Sequence, residues 1–222
     1  MTFHVITLFP ESIRGYLNES ILGRAGEAGL VDVRFYNPRD FTKNKHRKVD
    51  DRPYGGGPGM VMQAEPIIAA VGKARARKRN VKIVLFSPSG KQFTNAYADK
   101  LAKEYRDIVL ISGRYEGIDA RVKKILRAEE VSIGPYVLTG GEAPAMVVVD
   151  AVSRRVPGVL GKSESIEEYR VSASETYTRP DIFVHKGKKY RVPRVLLSGD
   201  HVKIEGWKKS EKGKEGGKLS YQ

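Results

Sequence analysis

Short apolar runs alternate with amphipathic stretches along the first 160 residues of the chain. The apolar runs predict strands over Phe3–Leu8, Val31–Tyr36, Val81–Phe86 and Ile108–Ile111, and from Val131 onward. The stretches between them have helical spacing and predict five helices. The first runs up to Ala28, the second begins at Glu65 and the third covers Asn95–Tyr105. The fourth includes Ile118, Val122, Ile125 and Leu126, and the fifth covers Ala143–Arg155. This alternation predicts an α/β fold with a mostly parallel sheet and helices on both faces.

Two of the predicted strands lead into glycine-rich loops. The unbroken apolar run Ile108–Ile111 is typical of a strand covered on both faces, and it leads into Ser112-Gly-Arg-Tyr-Glu-Gly117. The run from Val131 leads in the same way into a segment that ends at Gly140-Gly141. Ligands of open α/β sheets bind beyond the carboxyl ends of the strands, so we expect these two loops to form a ligand site. For any single glycine, the alternative is a tight turn with no part in binding.

The composition changes after residue 160. Gly161–Glu175 is rich in Ser and Glu and has no apolar period, which is typical of a flexible linker. Tyr177–Gly206 recovers some apolar residues but is too short for much of a core of its own. Lys208–Lys218 is mostly Lys, Glu and Gly, which predicts a disordered basic tail. We therefore expect a large domain over 1–160, a linker over 161–175 and a small C-terminal domain over 176–222.

The charge balance points to a polyanionic partner. Forty Lys and Arg residues against 26 Asp and Glu residues give a formal net charge of +14, for which nucleic acid is the expected partner. A solvated surface with a basic tail is the alternative. No apolar run approaches the length of a membrane span and no signal peptide is evident, so we expect a cytoplasmic protein with no membrane partner.

Several kinds of site are excluded or disfavoured by the residues. The chain has no cysteine, which excludes disulfides, thiolate nucleophiles and cysteine-bound zinc. It lacks the glycine motifs of dinucleotide-binding folds and of P-loop NTPases. The four histidines have no metal-ligand spacing, and His4, within a strand, is expected to be packed rather than catalytic.

A basic segment precedes the glycine run Gly55–Gly59. Its cations are Arg39, Lys43, Lys45, His46, Arg47, Lys48 and Arg52, and Asp50 and Asp51 lie among them. Cations bind phosphates, whereas a carboxylate in such a patch can accept a hydrogen bond from a base edge. The segment therefore suggests contact with nucleic acid, and a flexible connector is the alternative for the glycines.

The ordered motifs GRYEGID, SIGxYVLTGGExPAM, VSR and PGVL resemble the bacterial tRNA (guanine-N1)-methyltransferases of the SPOUT superfamily, known as the TrmD family. The resemblance begins at Phe9-Pro10, takes in VDDRPYGGGPGM over Val49–Met60, and returns at YTRP and LLSGDH. It covers most of the chain and thins only at the linker and the tail. It implies a SPOUT-type α/β fold with a C-terminal trefoil knot, and a homodimer whose active sites lie at the subunit interface.

The same resemblance implies S-adenosylmethionine as methyl donor and N1 of the guanosine at tRNA position 37 as acceptor. The residues implied for the cofactor are Ser87, Pro88, Gly113, Tyr115, Ile133, Gly134, Pro135, Tyr136, Val137, Leu138, Gly140 and Gly141. Those implied for tRNA are Arg47, Lys48, Asp50, Arg52 and Gly59, and the small C-terminal domain over 176–222 is expected to bind tRNA as well. Arg154 matches the catalytic arginine, which would stabilise charge on the guanine O6, and Glu116 is a candidate catalytic carboxylate and Mg²⁺ ligand.

The general base is less well defined by the motifs. The family carries an aspartate before Ser-Phe in its linker, whereas this chain reads Ser165-Ile-Glu-Glu-Tyr-Arg-Val171 and is a few residues shorter before Tyr177. Glu168 is the first candidate and Glu167 the second, and the alternative is that both are ordinary linker acids.

Two further departures motivate an alternative function. Pro135 stands where the family usually has aspartate, and the chain ends soon after Trp207, where relatives continue. The alternative is a catalytically impaired relative that binds tRNA without efficient turnover.

Overall fold

The computed structural model describes residues 1–76, 78–161 and 175–215, the last five of these in backbone only. The described residues up to 161 form one compact unit and those from 175 form another. The predicted linker over 161–175, with Glu167 and Glu168, lies almost wholly outside the described residues.

A five-stranded parallel sheet is the centre of the first unit. The strands of this unit are β1 (Thr2–Ile6), β2 (Asp32–Tyr36), β3 (Asp50–Asp51), β4 (Val61–Met62), β5 (Val81–Gln92), β6 (Asp107–Ile111) and β7 (Glu129–Ser132). The sheet has the order β2-β1-β6-β5-β7 with every neighbouring pair parallel, as predicted. β3 and β4 form a separate antiparallel ribbon. The sequence did not predict this ribbon, because strands of two residues are too short to show alternation.

Six helices accompany the sheet in the described part of the first unit. They are α1 (Glu11–Leu17), α2 (Ser20–Glu27), α3 (Ala64–Arg75), α4 (Asn95–Glu104), α5 (Arg121–Leu126) and α6 (Glu142–Ser153). The helical stretch predicted to run up to Ala28 is two helices that meet at a close turn. A Cβ on Gly23 would lie 2.2 Å from the carbonyl oxygen of Asn18, so only glycine permits this turn. Gly29, with φ of +67°, follows the end of α2.

Alternate residues of the central strands pack on opposite faces of the sheet. Phe3, Val5, Ile108 and Leu110 pack with residues of α1, α2, α4 and α6. Ile6, Val109 and Ile111 pack with residues of α3 and α5 on the other face. The unbroken apolar run in β6 follows from this double coverage. The stripe predicted for α5 is wrong in part, because Ile118 precedes the helix and Ile125 is 60% exposed.

Strand β5 is longer than predicted and is interrupted at residues 87–90. Phe86 and Lys91 both pair with Val131 of β7, so the Ser-Pro-Ser-Gly segment between them leaves the sheet and returns to the same point. A Cβ on Gly90 would lie 2.5 Å from the backbone nitrogen of Val131, and glycine is needed for the return. The excursion places Ser87 and Pro88 outside the regular pairing of β5 with β7.

The second unit contains a hairpin and a helix among its described residues. These are β8 (Ile182–His185), β9 (Lys188–Arg191) and α7 (His201–Glu215), with a 3₁₀ turn over Arg194–Leu197. The prediction of a disordered tail from Lys208 is wrong as far as Glu215, because α7 extends that far. Residues 216–222 lie outside the described part of the chain. No helix in the described ranges is long and apolar enough to cross a bilayer.

His4 is packed inside the sheet, in line with the sequence prediction. It is fully buried, its Nε2 lies 2.9 Å from Asp107 Oδ1, and its Nδ1 lies 3.2 Å from the Tyr36 hydroxyl. Lys78 Nζ lies 2.5 Å from the same Asp107 oxygen. Burial lowers the pKa of His4, although the hydrogen bond with Asp107 acts in the opposite direction. Burial raises the pKa of Asp107, but hydrogen bonds from His4 and Lys78 outweigh it and leave this pKa below its usual value.

These shifts predict loss of stability on mild acidification. As pH falls through the unfolded pKa of His4, the unfolded chain takes up a proton that the folded chain disfavours. The free energy of unfolding should therefore decrease, by less than about 1.4 kcal/mol per pH unit for one group. Urea denaturation at a series of pH values measures this dependence. His4→Gln should flatten it near pH 6, whereas His46→Gln, at an exposed position, should not; equal slopes for His4→Gln and the parent chain would contradict the assignment.

Candidate functional site

A cavity of about 250 Å³ lies at the carboxyl ends of β6 and β7 and at the interruption of β5. Its lining includes all the residues predicted for the cofactor except Pro135, namely Ser87, Pro88, Gly113, Tyr115, Ile133, Gly134, Tyr136, Val137, Leu138, Gly140 and Gly141. Pro135 is exposed and lies outside the lining. The two glycine loops follow β6 and β7, which are not neighbours, and the excursion of β5 lies between them. Three segments far apart in sequence therefore surround one cavity.

Ser132 fixes the start of the loop after β7. Its buried hydroxyl donates to the carbonyl of Gly134 at 2.9 Å and accepts from the amide of the same residue at 3.2 Å. The Tyr136 hydroxyl donates to the Ile133 carbonyl at 3.2 Å. A Cβ on Gly134 would lie 2.2 Å from the Tyr136 ring, so the absence of a side chain lets the ring fold back over the loop. The loop is thus shaped by its own residues.

The two glycine loops are in direct backbone contact. The amide of Gly141 donates to the carbonyl of Gly113 at 2.9 Å, and the Ser112 hydroxyl donates to the carbonyl of Gly141 at 3.0 Å. A Cβ on Gly141 would lie 2.5 Å from Ser112 Cα. Because backbone cannot rotate away as a side chain can, any larger residue at 141 would force the loops apart.

A buried ion pair joins both loops to the end of β1. Glu142, 4% exposed, accepts at Oε1 from the Thr7 hydroxyl at 2.6 Å, and its Oε2 lies 3.0 Å from Arg114 Nε. These last two atoms are buried and do not meet in hydrogen-bond geometry. Arg114 also donates to the Thr139 carbonyl at 3.3 Å and lies 4.6 Å from the centroid of the Phe9 ring. At the start of α6, the Glu142 carboxylate is further stabilised by the helix dipole.

Glycine at 140 makes room for this ion pair. A Cβ there would lie 2.4 Å from Arg114 Nε and 2.6 Å from Glu142 Oε2. The repeated glycines that suggested a ligand loop therefore also have structural roles: Gly140 accommodates the ion pair, and Gly141 accommodates the backbone of Ser112 and Gly113.

Glu116 lies where the cavity meets the ribbon of β3 and β4. Its amide donates to the Met60 carbonyl at 3.0 Å, and a Cβ on Gly59 would lie 2.5 Å from Glu116 Cγ and Oε1. Met62 in β4 also accepts from the Arg114 amide through its sulfur at 3.3 Å. The end of the predicted tRNA-binding segment is thus in contact with the cavity wall. Within the described ranges, no three His, Asp or Glu side chains are grouped so as to hold a metal ion.

The basic segment is partly engaged in contacts within the chain. Arg47 pairs with Asp40 and donates to the Arg39 carbonyl at 3.3 Å. Lys43 Nζ lies 2.9 Å from Glu65. These pairs are exposed, so each contributes little to stability and can be exchanged for a phosphate. Lys48 and Arg52 are exposed and have no side-chain ion pair within the described ranges, and the Asp50 backbone is held in β3.

Arg154 is remote from the cavity of its own chain. It caps the C-terminal end of α6, and Glu142 opens that helix at the cavity. At 1.5 Å per residue, the intervening residues separate the two by about 18 Å, more than an arginine side chain spans. The neighbouring Arg155 is only 4% exposed and pairs with Asp99 within the fold. Arg155 thus takes part in packing within the fold, whereas Arg154 is the residue that was predicted to act in the reaction.

Sequence reasoning left out several residues of this site. Thr7, Phe9, Thr139 and Glu142 were not predicted, and Arg114 was noted only as a side chain in the first loop. Thr7 and Phe9 follow β1, whose neighbour in the sheet is β6, and this adjacency is not visible in the sequence. Glu142 directly follows the glycine pair, and an acid at a helix start was the available signal.

Comparison with known proteins agrees with the motifs. A family model described as tRNA (Guanine-1)-methyltransferase TrmD matches residues 1–219. A tRNA (guanine-N(1)-)-methyltransferase of Thermomicrobium roseum is 52% identical over 213 residues, 94% of this chain and 78% of that protein. Proteins of the same name from a Geobacter species and from Clostridioides difficile are 47% and 44% identical over 215 and 217 residues. The matches cover 95% of this chain in both cases, with 84% and 92% of the respective relatives. This chain therefore belongs to the tRNA (guanine-1)-methyltransferase TrmD family.

Proposed function

We propose that this protein transfers a methyl group from S-adenosylmethionine to N1 of a guanosine in tRNA, at position 37 next to the anticodon. The observation that carries the proposal is the meeting of the two glycine loops at one cavity, in a chain that matches the family over residues 1–219. The net charge of +14 suits a tRNA substrate.

The cavity suits the cofactor by its shape and its exposed backbone. Gly117 lines the cavity with open space where a Cβ would stand, so a ligand can approach the main chain closely there. Tyr136, Val137 and Leu138 are exposed apolar residues of the lining, 51%, 83% and 42% exposed, and can cover an apolar part of the cofactor. When bound, S-adenosylmethionine supplies an activated methyl group, so the protein has to supply alignment and proton removal.

Two groups of the chain would act on the guanine. N1 carries a proton at neutral pH, and a carboxylate must remove it as the methyl group is transferred. Glu168 is our candidate for this base and Glu167 the second candidate, both outside the described residues. Negative charge then develops on O6, which the Arg154 guanidinium would stabilise. Glu116 lines the cavity and Gly59 lies against it, so the base would enter on this side, with Asp50 available for the base edge and Arg47, Lys48 and Arg52 for phosphates.

The position of Arg154 supports a homodimer with shared active sites. Arg154 and the cavity lie at opposite ends of α6, about 18 Å apart, so one chain cannot bring them to the same guanine. A two-fold axis would place the Arg154 of one subunit at the cavity of the other, twice in each dimer. Tyr16 on α1 and Val147 on α6 are 53% and 43% exposed, and these two helices pack together. They offer an apolar surface for such contact.

The trefoil knot is a further part of the proposal. Its support is the close backbone contact of three segments, with Gly90 against Val131 and Gly141 against Ser112 and Gly113. Glu116 is the proposed Mg²⁺ ligand. Because it has no cluster of protein ligands in the described ranges, an ion there would take its other ligands from water or substrate. No step above depends on that ion.

No specific observation favours the alternative of a catalytically impaired relative. Pro135, one of the departures behind it, is exposed and outside the cavity lining.

The proposed reaction predicts a defined product. Incubation of the protein with labelled S-adenosylmethionine and a tRNA that carries guanosine at position 37 should give 1-methylguanosine, identified by nucleoside mass spectrometry. The same tRNA with adenosine at position 37 should remain unlabelled. Tight tRNA binding without methyl transfer, under conditions that support a relative's activity, would favour the impaired alternative.

Replacement of the candidate base should slow the reaction selectively. We expect Glu168→Gln to lower the rate of methyl transfer by about 10²–10⁴-fold, the range typical of a lost general base, with cofactor affinity little changed. Single-turnover kinetics and calorimetry measure the two quantities. Glu167→Gln is the matched control and should be nearly as active as the parent chain. The reverse result would move the base to Glu167, and two active variants would remove it from this segment.

Shared active sites predict complementation between two defective variants. Gly141→Ala should weaken cofactor binding by separating the loops, whereas Arg154→Ala should lower the rate by about 10²–10³-fold with the cavity intact. Heterodimers of the two contain one site with an intact cavity and an intact Arg154. Random pairing should therefore restore about a quarter of the parent activity.

The control for this complementation is co-expression of Gly141→Ala with the double variant that carries both changes, which leaves no intact site. Gly72→Ala, a helical glycine with open space around it, should remain fully active and folded. Absence of recovery in verified heterodimers of the two single variants would contradict the shared site.

A further inference from the structure

The hairpin of β8 and β9 in the second unit is well defined by its turn. His185 pairs with Lys188, so the loop consists of two residues, Lys186 and Gly187. Both have positive φ, +47° and +75°, which is the type I′ turn that matches the twist of two antiparallel strands. The pairing register is therefore fixed, and with it the face to which each side chain belongs.

One face of this hairpin combines aromatic rings with cations. Phe183 pairs with Tyr190 and His185 with Lys188, and these four residues share a face because they alternate along their strands. Phe183 is 57% exposed and Tyr190 48% exposed. The Phe183 and His185 rings lie stacked with centroids 6.4 Å apart, and Lys188 Nζ lies 5.3 Å from the centroid of the Tyr190 ring. We call these four residues the aromatic face.

The surroundings of the aromatic face are basic. The hairpin from Ile182 to Arg191 contains three lysines, one arginine and one histidine, and no acidic residue. The opposite face carries Val184, Lys189 and Arg191, which are exposed, and Ile182, which is partly buried. Cations are thus found on both faces, whereas the aromatic rings are on one face only.

This arrangement matches the chemistry of unpaired RNA. Bases that are not in a helix stack on aromatic and histidine rings, and neighbouring cations contact the phosphates. A double-stranded A-form helix offers no free base surface for such rings, and it would be contacted by cations alone. Exposed rings beside lysines, with no carboxylate on the hairpin to repel a phosphate, are complementary to a single-stranded polyanion that carries flat bases.

We propose that the aromatic face of the β8–β9 hairpin binds unpaired nucleotides of the tRNA substrate by stacking on Phe183, His185 and Tyr190, with Lys188 on the backbone phosphates. This inference rests on the proposed function for the identity of the RNA. It assigns to the hairpin a binding mode that depends on base surface in addition to charge.

Two pairs of variants separate stacking from charge and from folding. Phe183→Leu with Tyr190→Leu removes the rings but keeps an apolar pair across the strands, which supports the hairpin. Phe183→Tyr with Tyr190→Phe keeps both rings and controls for the substitutions themselves. Lys188→Ala and Lys189→Ala each remove one positive charge from adjacent positions on opposite faces. Equal losses of RNA affinity in these last two variants would indicate long-range electrostatic attraction. A larger loss in Lys188→Ala would indicate that the RNA contacts the aromatic face.

Affinities of the whole chain, residues 1–222, are measured by fluorescence anisotropy. The three ligands are the substrate tRNA, a short oligouridine and an RNA duplex of the same length as the oligouridine. We expect the double leucine variant to lose about tenfold or more in affinity for the tRNA and the oligouridine, with the duplex unaffected and the salt dependence unchanged. The variant with exchanged rings should bind like the parent chain. Lys188→Ala should weaken oligouridine binding more than Lys189→Ala.

Parent-like tRNA and oligouridine affinities in the double leucine variant would overturn the proposal. So would equal loss for oligouridine and duplex, since charge would then be sufficient. Methyl transfer is measured in the same preparations, so that failure of the hairpin assignment can be distinguished from failure of the proposed reaction. If the parent chain methylates tRNA while the double leucine variant binds and reacts like it, only the hairpin assignment fails. If the hairpin binds oligouridine as expected but the parent chain methylates no tRNA, only the proposed reaction fails.

Discussion

The contact between Gly141 and the backbone of Ser112 and Gly113 is the constraint on which the cavity depends. Two loops that begin on non-adjacent strands approach until one amide bonds directly to the other loop's carbonyl, at 2.9 Å. The ion pair of Glu142 and Arg114 then holds the same two loops together, and Glu142 is joined in turn to Thr7 at the end of β1. The cavity is therefore formed by loops whose positions are fixed by the central sheet. Its shape depends on main-chain contacts that a single added methyl group would disturb.

The sequence predicted the parallel sheet and most of the cavity because both leave local signals. Unbroken apolar runs identify strands with two covered faces, and glycines at their ends identify loops near a ligand. Strand order was not available from these signals, so the position of β5 between the two loops emerged only from the structure, although the family resemblance had implied Ser87 and Pro88 for the cofactor. Thr7 was missed for the same reason. It reaches Glu142 across 135 positions of sequence, through the pairing of β1 with β6.

Other features escaped prediction for different physical reasons. The β3–β4 ribbon is too short for a pattern, although it brings Gly59 against Glu116 and so joins the basic segment to the cavity. The composition of Lys208–Glu215 resembles a disordered tail, yet α7 continues through it. Lys and Glu are good helix formers, and composition alone does not distinguish a charged helix from a charged coil. Arg155 pairs with Asp99 within the fold, and this contact could not be foreseen from a sequence in which two arginines are adjacent.

Because β5 leaves the sheet at residues 87–90, this part of the cavity wall can change in length without a change in the sheet. Phe86 and Lys91 pair with the same residue of β7, so the register on either side does not depend on how many residues lie between them. The length of the Ser-Pro-Ser-Gly segment can consequently change without shifting any side chain of the core, provided that glycine remains at the point of return. A protein engineer could therefore enlarge or shorten this rim to admit bulkier methyl-donor analogues.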